Sequence, residues 1–242
     1  MRDTITPIET SVSVRGLATF AFPGGSIQTS SRSRRLEREG QQAHLHVQAN
    51  RPEHYQSEVS LEHTYDVDDI RLLIRGRMDG LIVAESGSTI EEIKSSQLDP
   101  EDMHPYEVHL AQAKLYGAIY TEQHELDGVA IHLTYVSMAT REERIFDYHY
   151  QRSELRQFFD DIVEHYLENL RSVLRWKLKR NEAIATAGFP FETEREGQKS
   201  FMEAVTSAIE NREKLFVRAP TGIGKTAAAL VPALKSMPAG MT

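Results

Sequence analysis

The chain of 242 residues contains no cysteine. That excludes disulfides, thiolate-bound zinc and cysteine-ligated iron–sulfur clusters within it. No apolar run approaches the length of a membrane-spanning helix. The N-terminal MRDTITPIETSVSV lacks a basic region followed by an apolar core, so no secretory signal is expected. A soluble cytoplasmic protein with no membrane partner is the expectation. Positive charge is in deficit, with 28 Lys and Arg against 36 Asp and Glu and a net charge of −8. Such a balance argues against a surface built mainly to hold polyanions, although local basic patches can still serve. Two exist: Arg32, Arg34, Arg35 and Arg38, and Arg171, Arg175, Lys177, Lys179 and Arg180. Each reads either as a solvated helix face or as a set of phosphate contacts.

What is present is ordinary for a globular protein: 40% hydrophobic and 26% charged residues, without repeats or low-complexity tracts. The length allows one large domain, or one plus part of another. Residues 11–22 read as a strand or short apolar segment closed by Pro23-Gly24-Gly25. A helix is expected from about Ser31 to Asn50, ended by Pro52, and three or four strands between about 57 and 96. A second helix is expected over 106–121, just after Pro105. Two strands should follow in DGVAIHLTYVSMA and RIFDYHYQ. A long amphipathic helix then runs from an N-cap at Ser153 to about Arg180. Composition changes near Ala187, where the turn-rich GFPFETEREGQ precedes a helix around 198–211. The predicted organisation is an α/β domain over 1–186 and a second domain starting at 187.

Within the strand region, RGRMDGLIVAESGSTIEEIKSS (75–96) reads as a hairpin turning at Glu85–Ser88. With Ala84 paired to Thr89, Asp79 falls opposite Lys94, with Glu92 as its diagonal neighbour. Directly opposed and diagonal pairs on one face lie about 5 and 7–8 Å apart. Glu92 and Lys94 share that face with Leu81, Val83 and Ile90, while Ile93 points the other way. Two carboxylates at that separation can hold a divalent cation, with a lysine beside the water it polarises. The alternative is a hairpin with a solvated outer face.

Near the C-terminus, Leu215–Ala219 is expected as a strand entering Ala-Pro-Thr-Gly-Ile-Gly-Lys-Thr (219–226) and then an alanine-rich helix. This is a Walker A loop with Ala219 in place of the first glycine. Backbone N–H groups around Thr221, Gly222 and Gly224 cradle phosphates, Lys225 reaches the terminal phosphates, and the Thr226 hydroxyl ligates magnesium. The acid and the water-placing residue that such a motor also needs are expected beyond residue 242, so the chain reads as the front of something longer. Together with Phe189-Pro190-Phe191 and Arg195-Glu196-Gly197-Gln198, the loop resembles the start of superfamily 2 DNA helicases of the XPD/DinG type. That resemblance makes Gln198 the adenine reader and implies ATP with Mg2+ as cofactor.

Upstream, Gly40-Gln41-Gln42-Ala43-His44 falls on the first helix. Gln112 and Tyr116 lie one turn apart on the second. With Asp79 and Glu92-Ile93-Lys94 between them, the ordered set resembles the RecB-type branch of the PD-(D/E)XK nucleases, which includes CRISPR-associated exonucleases. The resemblance spans roughly 11–170. It implies a nuclease core of mixed sheet flanked by helices, followed by the truncated start of a P-loop NTPase. It also implies a cation, Mn2+ or Mg2+, held by His44, Asp79, Glu92 and the Ile93 carbonyl. Lys94 would act on the attacking water, and Gln112 and Tyr116 on the DNA backbone. DNA and ATP are the implied partners. Several relatives in that branch carry an iron–sulfur cluster, which this cysteine-free chain must do without. Two other readings stay open: an inactive nuclease fold used for DNA binding or docking, and a motor with a purely structural hairpin.

Overall fold

The computed structural model describes residues 8–23, 34–85, 87–193 and 195–237, with side chains in the first helix of the 34–85 segment given from Arg38 onward. Gly24, Gly25, Ser31, Arg32 and turn residue Ser86 lie outside that range, as do the side chains of Arg34 and Arg35. Two compact units are present, residues 1–167 and 168–242.

The first unit is built on a mixed six-stranded sheet. Strand β1 (Ile8–Ser13) passes directly into helix α1 (Val14–Ala21), then α2 (Arg34–Ala49), β2 (Tyr55–Val67), β3 (Ile70–Ala84) and β4 (Gly87–Ser96). Helix α3 (Glu107–Gln123), strands β5 (Gly128–Ser137) and β6 (Glu143–Gln151), and the part of helix α4 (Arg152–Thr186) up to Leu167 complete it. Residues 11–22, expected as a strand or short apolar segment, divide in two: strand up to Ser13, helix from Val14. Ser13 is the reason, because its hydroxyl accepts from Gly16 N at 2.9 Å and caps the helix. Ser153, expected as an N-cap, lies inside α4. There Gln151 N donates to Glu154 (2.8 Å) and so carries the capping arrangement two residues earlier.

The hairpin register is also corrected. Ala84 pairs with Gly87 and Gly80 with Glu91, so the connection is the two residues Glu85 and Ser86. The ladder is shifted by two residues from the expected pairing, which sets Asp79 at the level of Glu92 instead of Lys94. Because the shift is even, every side chain keeps its predicted face.

Long β3 organises the sheet. Along one edge it pairs with β2 from Ile70 to Ile82. Along the other, parallel β1 covers Ile70–Arg75 and antiparallel β4 covers Gly80–Ala84. Residues 76–79 are left as a gap on that edge. Beyond Glu91, β4 runs beside β5 in parallel, Glu92 opposite Leu133 and Lys94 opposite Tyr135. Helix α2 covers one face through Ala43, Val47, Ile93 and Val136. Gly40 lets it approach closely, since a Cβ there would meet Ser95 Oγ at 2.9 Å. On the other face, α3 packs on β5, with Leu110 against Leu133, Tyr135 and Met103. Both faces being covered, β4 is buried on both sides.

In α4 the buried positions end at Leu167, where the first unit ends, whereas the composition shift lies near Ala187. The second unit holds the remainder of α4, α5 (Gln198–Glu210) and α6 (Lys225–Ser236). The strand expected over 215–219 does not form. Its apolar residues are exposed, Phe216 at 92%. A strand satisfies its backbone only beside another strand, and none of the described residues offers one.

Candidate functional site

The gap beside residues 76–79 gathers the side chains singled out upstream. Where β3 and β4 part, the Asp79 carboxylate crosses the opening and accepts from Ile93 N at 2.7 Å. The Asp79 carbonyl is held by Gln48 (3.0 Å) and the Tyr55 hydroxyl (3.3 Å). A Cβ at residue 80 would collide with the Tyr55 ring, so that contact requires Gly80. Glu92, 1% exposed, takes the Lys94 ammonium on Oε1 and leaves Oε2 buried with no partner among the described residues. Burial pushes the Glu92 carboxyl up to about 7, Lys94 pulling against it and Asp79 adding to it. Burial also raises Asp79, opposed by Lys94 and the Ile93 N–H. His44, reaching in from α2, is held below its ordinary value by burial, with the Asp79 charge working the other way.

The structure thus brings His44, Asp79, Glu92 and Lys94 within electrostatic reach of one another. Among the described residues, no three His, Asp or Glu side chains stand close enough together to hold a metal ion. The chemistry of the donors is nevertheless that of a hard divalent cation: carboxylate oxygens, an imidazole, and an unpartnered buried lone-pair atom.

Tyr116 has a specific task at the gap. Its hydroxyl donates to Arg77 O (2.9 Å) and accepts from Arg77 N (3.2 Å), supplying the partners that neither β1 nor β4 provides there. Gln112 hydrogen-bonds the same phenol, whose pKa burial raises to about 12. Tyr116 therefore reaches the site by holding β3 in place. A Cβ at Gly76 would strike its ring. Gly76→Ala is expected to lower stability by about 1–3 kcal/mol through overpacking, and Tyr116→Phe by about 1–2 kcal/mol by orphaning the Arg77 groups. Thermal unfolding of each variant checks both.

Several contributors were not anticipated from the sequence. On the α2 face of β4, fully buried Glu91 is gripped by Arg51 (2.6 Å from Nη2) and by the Thr134 hydroxyl (2.5 Å). Burial works to raise the Glu91 carboxyl, but those bonds outweigh it and hold it low. Arg51 also bonds Glu143 at 2.7 Å. Glu58, on β2 between the partners of Met78 and Gly80, has a left-handed φ of 59° and pairs with Arg77 at 2.6 Å. His109 sits one turn before Gln112, bonded to the Tyr135 hydroxyl at 2.8 Å. Burial, with Lys94 and Arg15 adding, lowers it to about 4, so it is a neutral imidazole near pH 7. The adjacent acids Glu91-Glu92 were the available signal: in a strand they face opposite sides, and here both sides are covered.

In the second unit, the 219–226 loop is shaped by Gly222 (φ 85°) and Gly224 (φ 79°), conformations that glycine alone adopts cheaply. Lys225 Nζ donates to the carbonyls of Ala219 (3.1 Å) and Pro220 (2.7 Å), and Thr226 follows it in the first turn of α6. Gln198, 2% exposed, accepts from Arg195 N and donates to Ile223 O, both at 2.6 Å. A Cβ at Gly224 would meet its amide. An amide has two donors and two acceptor lone pairs, so Gln198 braces the loop and retains one of each. An apolar groove lined by Ile184, Pro190, Phe191, Leu230 and Leu234 reaches Gly224 and Thr226.

Residues 195–241 match the model of the DEAD/DEAH box helicase family. Over 46 residues the chain is 48% identical to a probable ATP-dependent helicase of Methanocaldococcus jannaschii, a match covering 19% of this chain and 7% of that protein. The chain spans only a small part of that relative. A solved structure titled "Crystal structure of SSO0001" aligns over 66% of this chain and 79% of its own, at 19% identity and a TM-score of 0.39. A likeness of that size carries no argument. The C-terminal likeness is to helicases and includes the 219–226 loop.

Proposed function

We propose that the chain joins a metal-dependent DNA nuclease module, residues 1–186, to the opening elements of an ATP-dependent DNA helicase. The observation that carries the nuclease half is Glu92: a buried carboxylate with one unpartnered oxygen, beside Asp79 and Lys94, at a deliberate gap in the sheet. A buried, unpaired polar atom is costly and calls for a ligand. His44, Asp79, Glu92 and the Ile93 carbonyl would hold Mg2+ or Mn2+, which when bound polarises water and phosphate. Lys94, an ammonium bonded to Glu92, would orient the attacking water and stabilise charge on the phosphorane, Gln112 and Tyr116 would keep the β3 edge and the scissile phosphate in register, and His109 would supply a neutral wall. End-labelled single- and double-stranded DNA incubated with the protein and manganese, without ATP, should be cut. Intact DNA at micromolar protein would overturn the nuclease reading.

The helicase half rests on the match over 195–241 and on the loop. Lys225 already bonds two loop carbonyls that a terminal phosphate would replace. Lys225→Ala is expected to weaken binding of a fluorescent ATP analogue at least about tenfold, as loss of a charged phosphate contact. An unchanged titration curve would remove Lys225 from the nucleotide site.

A further inference from the structure

The second half of α4 carries a feature that neither site uses. From Arg171 to Arg180 it holds five cations and no acid, in a chain whose net charge is −8. Arg175 and Lys179 lie one turn apart, and Trp176 and Arg180 form the adjacent row. Like charges so spaced repel each other. Among the described residues, Arg175 reaches only Ser172 (3.4 Å) and Lys179 has no acid partner. The second row holds the chain's single tryptophan, 59% exposed. The Arg180 guanidinium covers one face of its ring at 5.2 Å and is itself fixed by the Asn181 side chain at 2.9 Å. The indole is thus capped by a cation while most of the residue stays accessible.

We infer that the Trp176 side of α4 is a docking track for single-stranded nucleic acid, the ring stacking a base while Arg175 and Lys179 on one flank and Lys177 on the other take the phosphates. An acidic protein would satisfy the cations but leaves a braced, exposed aromatic ring without a purpose. A duplex hides its base faces, whereas a single strand offers one at every step. The inference concerns binding alone and does not depend on cleavage at Asp79 or on the nucleotide loop.

Because the chain has one tryptophan, its selectively excited emission reports this position and no other. The whole chain is titrated with a deoxythymidine oligomer of roughly 20 nucleotides, in EDTA so that no cutting can occur. Saturable quenching is expected, with a log–log salt slope of about −2 for three phosphate contacts. By anisotropy of a labelled oligomer, Trp176→Ala should weaken binding about tenfold and Trp176→Phe far less, since a ring remains to stack. Arg175→Ala combined with Lys179→Ala should bring the slope to about −1. Binding with unchanged indole emission would overturn the inference. So would equal quenching by a duplex of the same length. An emission change on concentrating the protein alone would assign the face to a second copy, and would overturn it equally.

Discussion

Asp79→Asn and Glu92→Gln are each expected to lower manganese-dependent DNA cleavage by roughly a hundredfold or more, the usual consequence of losing a metal-holding carboxylate. Neither change should harm the fold. An asparagine carbonyl can still accept from Ile93 N, as the Asp79 carboxylate does. At Glu92 the outcome should run the other way. Its carboxyl is pushed by burial from the ordinary range to about 7, so the folded protein prefers it protonated. The stabilisation is present in full below the unfolded value of about 4.5 and is lost as pH rises towards and through 7. At pH 8 without metal, that difference is worth roughly 3 kcal/mol. Glu92→Gln removes the charged form and should therefore raise the melting temperature there while abolishing cleavage. Opposed effects on stability and activity mark a group kept for function. Melting curves from pH 4 to 8 and a cleavage assay at one pH decide it, and wild-type cleavage by either variant would remove these acids from the site.

Arg51→Ala carries the largest expected loss of stability, about 3–5 kcal/mol, because it leaves Glu91 charged and unpaired in the interior. Glu91 is fully buried and Arg51 forks onto both of its oxygens while also bonding Glu143. Its remaining supports, the Thr134 and Tyr55 hydroxyls, are neutral donors. Adding Glu91→Gln to Arg51→Ala should recover a large part of the loss, since it removes the unpaired charge. Denaturant titrations of the single and double variants measure this. Equal instability of the two would show that Arg51 acts through packing alone.

The two acids of Glu91-Glu92 illustrate how far sequence reading extends. Alternation along a strand is a property of the chain, so it was legible that Glu92 and Lys94 share a face with Asp79 and that Ile93 does not. It stayed true when the hairpin proved two residues tighter than expected, because an even slip preserves faces. Helices α2, α3 and α4, strands β5 and β6, and the phosphate loop were equally legible, from apolar periodicity and glycine placement. The start of α1 was not. The run from Ser11 to Phe22 carries apolar residues compatible with either period, and the decision fell to one hydroxyl bond at Ser13.

Tertiary structure alone decided the rest. Only the sharing of one β3 edge between parallel β1 and antiparallel β4 opens the gap at residues 76–79, and no local pattern encodes which strands will meet there. The gap turns Tyr116 into a partner for the Arg77 backbone and makes Gly76 and Gly80 necessary. Burial of Glu92, and the pairing of Glu91 with Arg51 forty positions away, depend on α2 and α3 both closing over β4. The converse holds at Leu215–Ala219, where strand-like residues find no partner strand among the described residues and form none. A sequence fixes which way each side chain can point along its own element. The charges a side chain feels, and the partners its backbone finds, are set by elements distant in the chain.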